Sequence, residues 1–204
     1  MDTRKQVTVV GISGSLRNGS YTTLATAEAL RGAEQEGAHT HLINLSEYDL
    51  KFCNGGDDEP TGDVLKLQKL VGAAQGIILG TPEYHGSYSG VLKNALDLMG
   101  FKEFEGKMVG LLGVSGGMMG GLNAMNELRS VGRTLHAWVI PGQVAIPNAS
   151  AIFDKSGNVI DKKMNVSLIK LGQQVASFSK LHLVSRDRAF LKAWEEAPLN
   201  PGGD

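Results

Sequence analysis

The sequence predicts an α/β fold, a doubly wound five-stranded parallel sheet with helices on both faces. Two observations predict it. Five short runs rich in Val, Ile and Leu alternate with longer segments of helical periodicity. Three of those runs, VTVVGI (7–12), GIILG (76–80) and KMVGLLGV (107–114), are almost wholly apolar, as strands covered on both faces are.

The elements follow in order. VTVVGI is the first strand, and a helix is expected from Ser20 to Gly37. HTHLINL (39–45) alternates like a strand with one wetter side. A polar loop, NGGDDEPTGD (54–63), precedes a helix over 63–74, and GIILG is the third strand. SGVLKNALDLMG (89–100) reads as a helix with Ser89 as N-cap and Gly100 just past its end. Val91, Leu92, Ala95, Leu96 and Met99 form its apolar stripe. After the strand at 107–114 come a helix over about 120–134, an interrupted strand AWVIPGQVAI (137–146) and a long helix over 161–184. Residues 1–185 are expected to form one domain. Residues 186–204 are expected to be an extension, with a short helix over 186–197 docked by Phe190, Leu191 and Trp194, then a mobile tail.

A chain of 204 residues is long enough to bury a sizeable core. Its net charge of -1 argues against a nucleic-acid or membrane-surface protein, since both need a basic excess. Cys53 is the sole cysteine, so no intrachain disulfide forms, and it reads as an inert thiol. No signal peptide or membrane span is legible, and a cytoplasmic protein is expected. His39 and His41 share a strand face without a third or fourth ligand in view, so no metal site is expected.

Function concentrates in three strand-to-helix loops. All three leave carboxyl ends of strands, where open α/β sheets bind ligands. The first, GISGSLRNGSYT (11–22), is not a triphosphate loop: Ser20 and Tyr21 stand where G-x-x-x-x-G-K-[ST] needs lysine and hydroxyl. Nor is it G-x-G-x-x-G, because Leu16 occupies the second glycine position. Its hydroxyls at Ser13, Ser15, Ser20 and Thr22, the Arg17 guanidinium and the N–H groups of a helix start suit one phosphate monoester. No magnesium-binding acid accompanies them. The second loop, GTPEYHGSYSG (80–90), offers no strong nucleophile but a flat surface and backbone N–H groups at Pro82, Glu83, Tyr84, His85 and Gly86. The third, GVSGGMMGGLN (113–123), has little bulk at Ser115, Gly116 and Gly117, so its backbone can approach a planar ligand. A monophosphate tail with a flat, polar-edged head describes FMN. Glu83 reads equally as a group that tunes the flavin or as one making a structural or intersubunit hydrogen bond.

GSLRNGSYT, TPEYHGSYSGVLKNALD and VSGGMMGGLNAMNELR together resemble the NADPH-dependent FMN reductase family, whose members reduce flavins, quinones, chromate and azo dyes on a flavodoxin-like fold. The resemblance spans roughly residues 7–184. It implies that Ser15, Arg17 and Ser20 to Thr22, with Tyr21 among them, hold the FMN phosphate. It places Pro82 to Gly86 along the isoalloxazine and Ser115 to Gly117 at its other edge. His85 stands where asparagine is common, and Ser89 where proline is frequent. The implied activity is passage of a hydride from NADPH or NADH to FMN, then of two electrons to a quinone, flavin or similar small acceptor by a ping-pong course. FMN carries the chemistry, and no side chain acts as nucleophile. The alternative is a flavodoxin-type electron carrier, which the near-zero net charge disfavours. The resemblance also implies a homodimer or homotetramer.

Overall fold

The computed structural model describes residues 6–56 and 59–185. The extension expected at 186–204 lies outside the described residues. Strands β1 (Thr8–Ser13), β2 (His39–Asn44), β3 (Gly76–Tyr84), β5 (Met108–Val114) and β6 (Trp138–Ile146) form a parallel sheet in the order β2-β1-β3-β5-β6. Helices α1 (Tyr21–Gln35), α2 (Gly62–Ala73), α3 (Gly90–Asp97), α5 (Leu122–Thr134) and α6 (Lys162–Ser185) connect or flank them. The order reverses between β1 and β3, which makes the end of those strands a switch point.

Side chains on β1 explain the double winding. Val9 packs with Ala25, Ala29, Leu168, Leu171 and Val175 on the α1 and α6 face. Val10 and Ile12 pack with Leu67, Val71, Leu92, Leu96, Met125 and Leu128 on the α2, α3 and α5 face. Each fully buried leucine contributes about 1.5–3 kcal/mol by leaving water. On the first face, α1 and α6 meet backbone to backbone. A Cβ on Gly172 would lie 1.7 Å from Ala29 O, and one on Gly32 2.0 Å from Ile169 O. No larger residue fits this crossing without separating the helices.

Two elements differ from the sequence-based expectation, and a third, the interrupted last strand, meets it. The third strand does not stop at Gly80. Thr81 and Pro82 continue the ladder against Gly113 and Val114, and Glu83 and Tyr84 then pair antiparallel with β4 (Ser87–Tyr88). The hairpin turn is His85-Gly86, with φ of 53° and 82°, the doubly positive pattern of a two-residue turn that matches strand twist. The helix expected to 100 ends at Asp97, and Phe101–Phe104 forms a separate short helix, α4. The Glu103 carboxylate accepts the Gly100 N–H at 2.8 Å and starts α4. The interruption of β6 is a register shift: Val109 faces Val139, but Leu111 faces Gln143. Pro141 carries no donor for a ladder. Arg129 of α5 satisfies the freed carbonyls, donating to Ile140 O at 3.0 Å and Pro141 O at 3.1 Å.

Candidate functional site

β1, β3 and β5 are the three central strands, so the three loops emerge side by side. Their backbones are knitted together. Gly14 N–H donates to Gly80 O at 2.8 Å. Ser89 Oγ, at the start of α3, donates to Gly14 O at 2.6 Å and accepts the Leu92 N–H at 3.1 Å. One serine thus caps a helix and anchors the first loop. Thr81 Oγ1 accepts the Ser89 N–H at 3.0 Å and donates to Pro82 O at 2.9 Å. Gly14 has to be glycine, because a Cβ would meet Leu92 Cβ at 2.6 Å.

In the first loop, Ser13 is fully buried, and its hydroxyl shares a 2.8 Å hydrogen bond with Thr23 Oγ1. It lies beneath the loop as a strut. Ser15 is buried, and its Oγ accepts the Arg17 N–H at 3.4 Å. Ser20 is the N-cap of α1, its Oγ accepting the Thr22 N–H at 3.2 Å. Thr22 is itself buried. Tyr21 stacks on Phe153, with ring centroids 5.3 Å apart, so its contribution to the loop is its N–H. Among the described residues no acceptor faces the backbone N–H groups of Leu16, Asn18, Gly19, Ser20 or Tyr21. Arg17 is exposed and makes no ion pair within the described residues. A cup of unpaired N–H groups at a helix start, with buried serines and a free guanidinium, fits a phosphate.

The second loop is the β3–β4 hairpin. Pro82 is buried, Glu83 half-buried, and Tyr84, His85 and Gly86 exposed. Glu83 Oε2 accepts the Ala124 N–H of α5 at 3.1 Å, and Ser87 Oγ is hydrogen-bonded to Glu127 one turn further on. In the third loop, Ser115 N–H donates to Ile146 O at 3.0 Å, and its Oγ accepts the Gly117 N–H at 3.0 Å. Gly116 and Gly117 are exposed, with open space above Gly116. The loop closes through Gly120 and Gly121, at φ of 64° and 84°. A Cβ on Gly121 would lie 2.7 Å from the Gly113 backbone. Met118 and Met119 are exposed, whereas Met125 is in the core.

Two further residues were not singled out from sequence. Asn94 of the L-K-N-A stretch donates through Nδ2 to Lys51 O at 3.0 Å and accepts the Cys53 N–H at 2.9 Å. It pins the loop after β2 to α3. The signal was an asparagine in mid-helix, where that residue is a weak helix former unless its side chain has work elsewhere. Glu127 was the other, and no local pattern marks it. On the same helix as Asn94, a hydrogen bond to Asp97 holds the Lys93 ammonium above the usual lysine range. His39 and His41 are exposed on β2. A polar cleft of about 400 Å³, lined by Asp49, Lys51, Thr61, Gly62, Asp63 and Val64, belongs to the β2–α2 connection and to none of the three loops.

Sheet order and switch point define a flavodoxin-like fold, and a flavodoxin from the domain Archaea superposes with a TM-score of 0.59 at 15% identity, over 85% of this chain and 98% of that one. FerB, a flavoenzyme NAD(P)H:(acceptor) oxidoreductase from Paracoccus denitrificans, superposes with a TM-score of 0.73 at 24% identity, over 86% of this chain and 98% of that one. The model of the NADPH-dependent FMN reductase family matches residues 7–151, and the chain belongs to that family. An FMN-dependent NADPH-azoreductase of Staphylococcus aureus (strain USA300) is 30% identical over 174 residues, 82% of this chain and 92% of the relative. An NADPH azoreductase of Bacillus sp. (strain OY1-2) is 42% identical over 106 residues, 52% of this chain and 60% of that protein's length. The family's description names FMN, the cofactor expected from sequence, and NADPH, one of the two donors expected.

Proposed function

We propose that this chain is an FMN-dependent oxidoreductase that takes a hydride from NADPH or NADH and delivers two electrons to a small acceptor such as a quinone, a free flavin or an azo dye. The observation that carries this reading is the cup of unpaired N–H groups between β1 and α1, set beside the Pro82–Gly86 hairpin and the open Ser115–Gly117 backbone on the neighbouring strands. Ser15, Ser20, the N–H groups from Leu16 to Tyr21 and the Arg17 guanidinium would hold the phosphate. Pro82 to Gly86 and Ser115 to Gly117 would flank the ring and keep water from it. FMN would supply the hydride and electron chemistry when bound. The protein's part is to bind, orient and exclude solvent. Ser13 and Thr22 support the cup from below.

Leu16, Tyr84, Met118 and Met119 are large apolar side chains, each 55–84% exposed, on the three loops. They favour a flat aromatic acceptor over an ionic one such as chromate. The same apolar edge supports at least a homodimer, and a homotetramer remains within the proposal, as does a cytoplasmic location. No described helix is long and apolar enough to cross a membrane. Light scattering at micromolar protein should give a mass of two chains or more.

Nicotinamide and acceptor have to take turns on one open ring face, because hydride transfer requires approach to about 3–3.5 Å. Steady-state rates with NADPH and a quinone or azo dye varied together should therefore give parallel double-reciprocal lines. Intersecting lines would show that a ternary complex forms. Failure of the purified protein to retain or rebind FMN would sink the whole reading.

A further inference from the structure

Helix α5 begins without a cap of its own. Its N-cap is Gly121, which has no side chain to offer, and its first turn, Leu122, Asn123 and Ala124, contains no acid. Ser20 and Ser89 each supply a hydroxyl to their own helices, α1 and α3. At α5 the hydrogen bond comes from another strand: Glu83 of β3 places its Oε2 3.1 Å from the Ala124 nitrogen. A carboxylate at this end also opposes the helix dipole. Three residues further along α5, on the same side, Glu127 holds Ser87 of the same hairpin. Elsewhere the helix start is seated on backbone. A Cβ on Gly121 would meet the Gly113 backbone at 2.7 Å, and one on Gly120 would meet the Ala145–Pro147 backbone at 3.0 Å. The sheet therefore limits movement of this helix end to one side, and the hairpin limits it on the other.

We propose that Glu83 is a positioning residue, whose carboxylate serves as the missing cap of α5 and so fixes the Ser115–Gly121 loop relative to the Pro82–Gly86 hairpin. This rests on the reading that those two loops flank the FMN ring. Glu83 then contributes to flavin binding through Ala124 and the end of the third loop, without touching the flavin. Loss of the cap lets the first turn of α5 fray, and the third loop loses its fixed end.

Two substitutions and two readouts test it. In FMN-free protein, hydrogen exchange at the Ala124 amide should quicken about tenfold in Glu83→Ala, the change expected when a cap bond is lost. Glu83→Gln keeps an acceptor oxygen and should stay within about threefold of the parent. FMN titration should show the same ranking, with Glu83→Ala weakened about tenfold and Glu83→Gln largely restored. The reduction potential of the flavin bound to Glu83→Gln should match the parent. Unchanged Ala124 exchange in Glu83→Ala would overturn the proposal. So would a Glu83→Gln variant as impaired as Glu83→Ala with a shifted potential, because the negative charge would then be acting on the flavin directly. A parent protein that binds no FMN would overturn the flavin reading instead, and the exchange experiment would still decide the capping role.

Discussion

The first and third loops leave the same sheet edge, each carries a serine that accepts the N–H two residues on, and each ends in a helix start, yet the two helix starts are capped in opposite ways. The first is capped from within: Ser20 caps α1, and Gly19 beside it has open space around it. The third is capped from outside. Its closing glycines press on the backbone of β5 and the end of β6, and the cap of its helix comes from Glu83 on β3. A helix start capped by its own loop leaves the neighbouring N–H groups open, whereas one capped from another strand ties two loops together. On the proposed reading the first arrangement serves the phosphate and the second the ring.

The sharpest test of the comparison is a methyl group added to each loop. Gly121→Ala combines a positive φ with a collision against backbone, and should cost about 3 kcal/mol or more. In a chain of this size that lowers Tm by about 6–12 °C. Gly19→Ala has a positive φ but no neighbour within 4 Å, and should cost about 1–2 kcal/mol from the backbone alone. Equal losses in the two variants, measured by thermal unfolding without FMN, would remove the contrast.

Next in size is Arg17→Ala. The exposed guanidinium supports nothing in the fold, so Tm without FMN should move by less than about 0.5 kcal/mol equivalent. FMN affinity should fall about tenfold or more, from loss of about 1.5–3 kcal/mol of charged hydrogen bonding. Unchanged affinity would release Arg17 from the phosphate cup.

Ser20→Ala is smaller and falls on stability. Removing the cap of α1 should cost about 1 kcal/mol, seen in FMN-free protein as a Tm lower by about 2–4 °C. A variant that weakens FMN with no change in Tm would mean that the Ser20 hydroxyl serves the ligand rather than the helix.

The same contrast explains what was legible in the sequence. Strands and helices are legible because each buries its own periodic stripe, and Ser89 because capping is local; Ser20 reads from sequence only as a loop hydroxyl, and its cap on α1 comes from the structure. Gly80 was read as a strand end because the apolar run stops there, but pairing with β5 continues through Thr81 and Pro82. The role of Glu83 is not legible in the sequence, since its partner lies 41 residues away. Ser13 reads from sequence as a ligand hydroxyl, and the sequence gives no sign that it is buried and bonded to Thr23. Long-range hydrogen bonds leave no period or spacing in a sequence, so the borrowed contacts of the third loop were the part that required coordinates.

The smallest effect is expected in the hairpin that links the two loops. His85 and Gly86 both have positive φ, and such two-residue turns favour Asn-Gly. Asparagine tolerates this conformation because its short amide bonds to nearby backbone, whereas the imidazole gains nothing similar here: it is exposed and makes no hydrogen bond within the described residues. An asparagine at this position would be favoured by the turn conformation itself. His85→Asn should stabilise the protein by about 0.5 kcal/mol, raising Tm by about 1–2 °C. It should leave FMN affinity unchanged, and it should slow exchange at the Ala124 amide slightly, because a stiffer hairpin holds Glu83 more steadily against α5. A fall in Tm would show that the histidine ring makes a contact worth more than the turn preference. A changed FMN affinity at constant Tm would show that the side chain at position 85, and not the hairpin backbone alone, reaches the flavin edge.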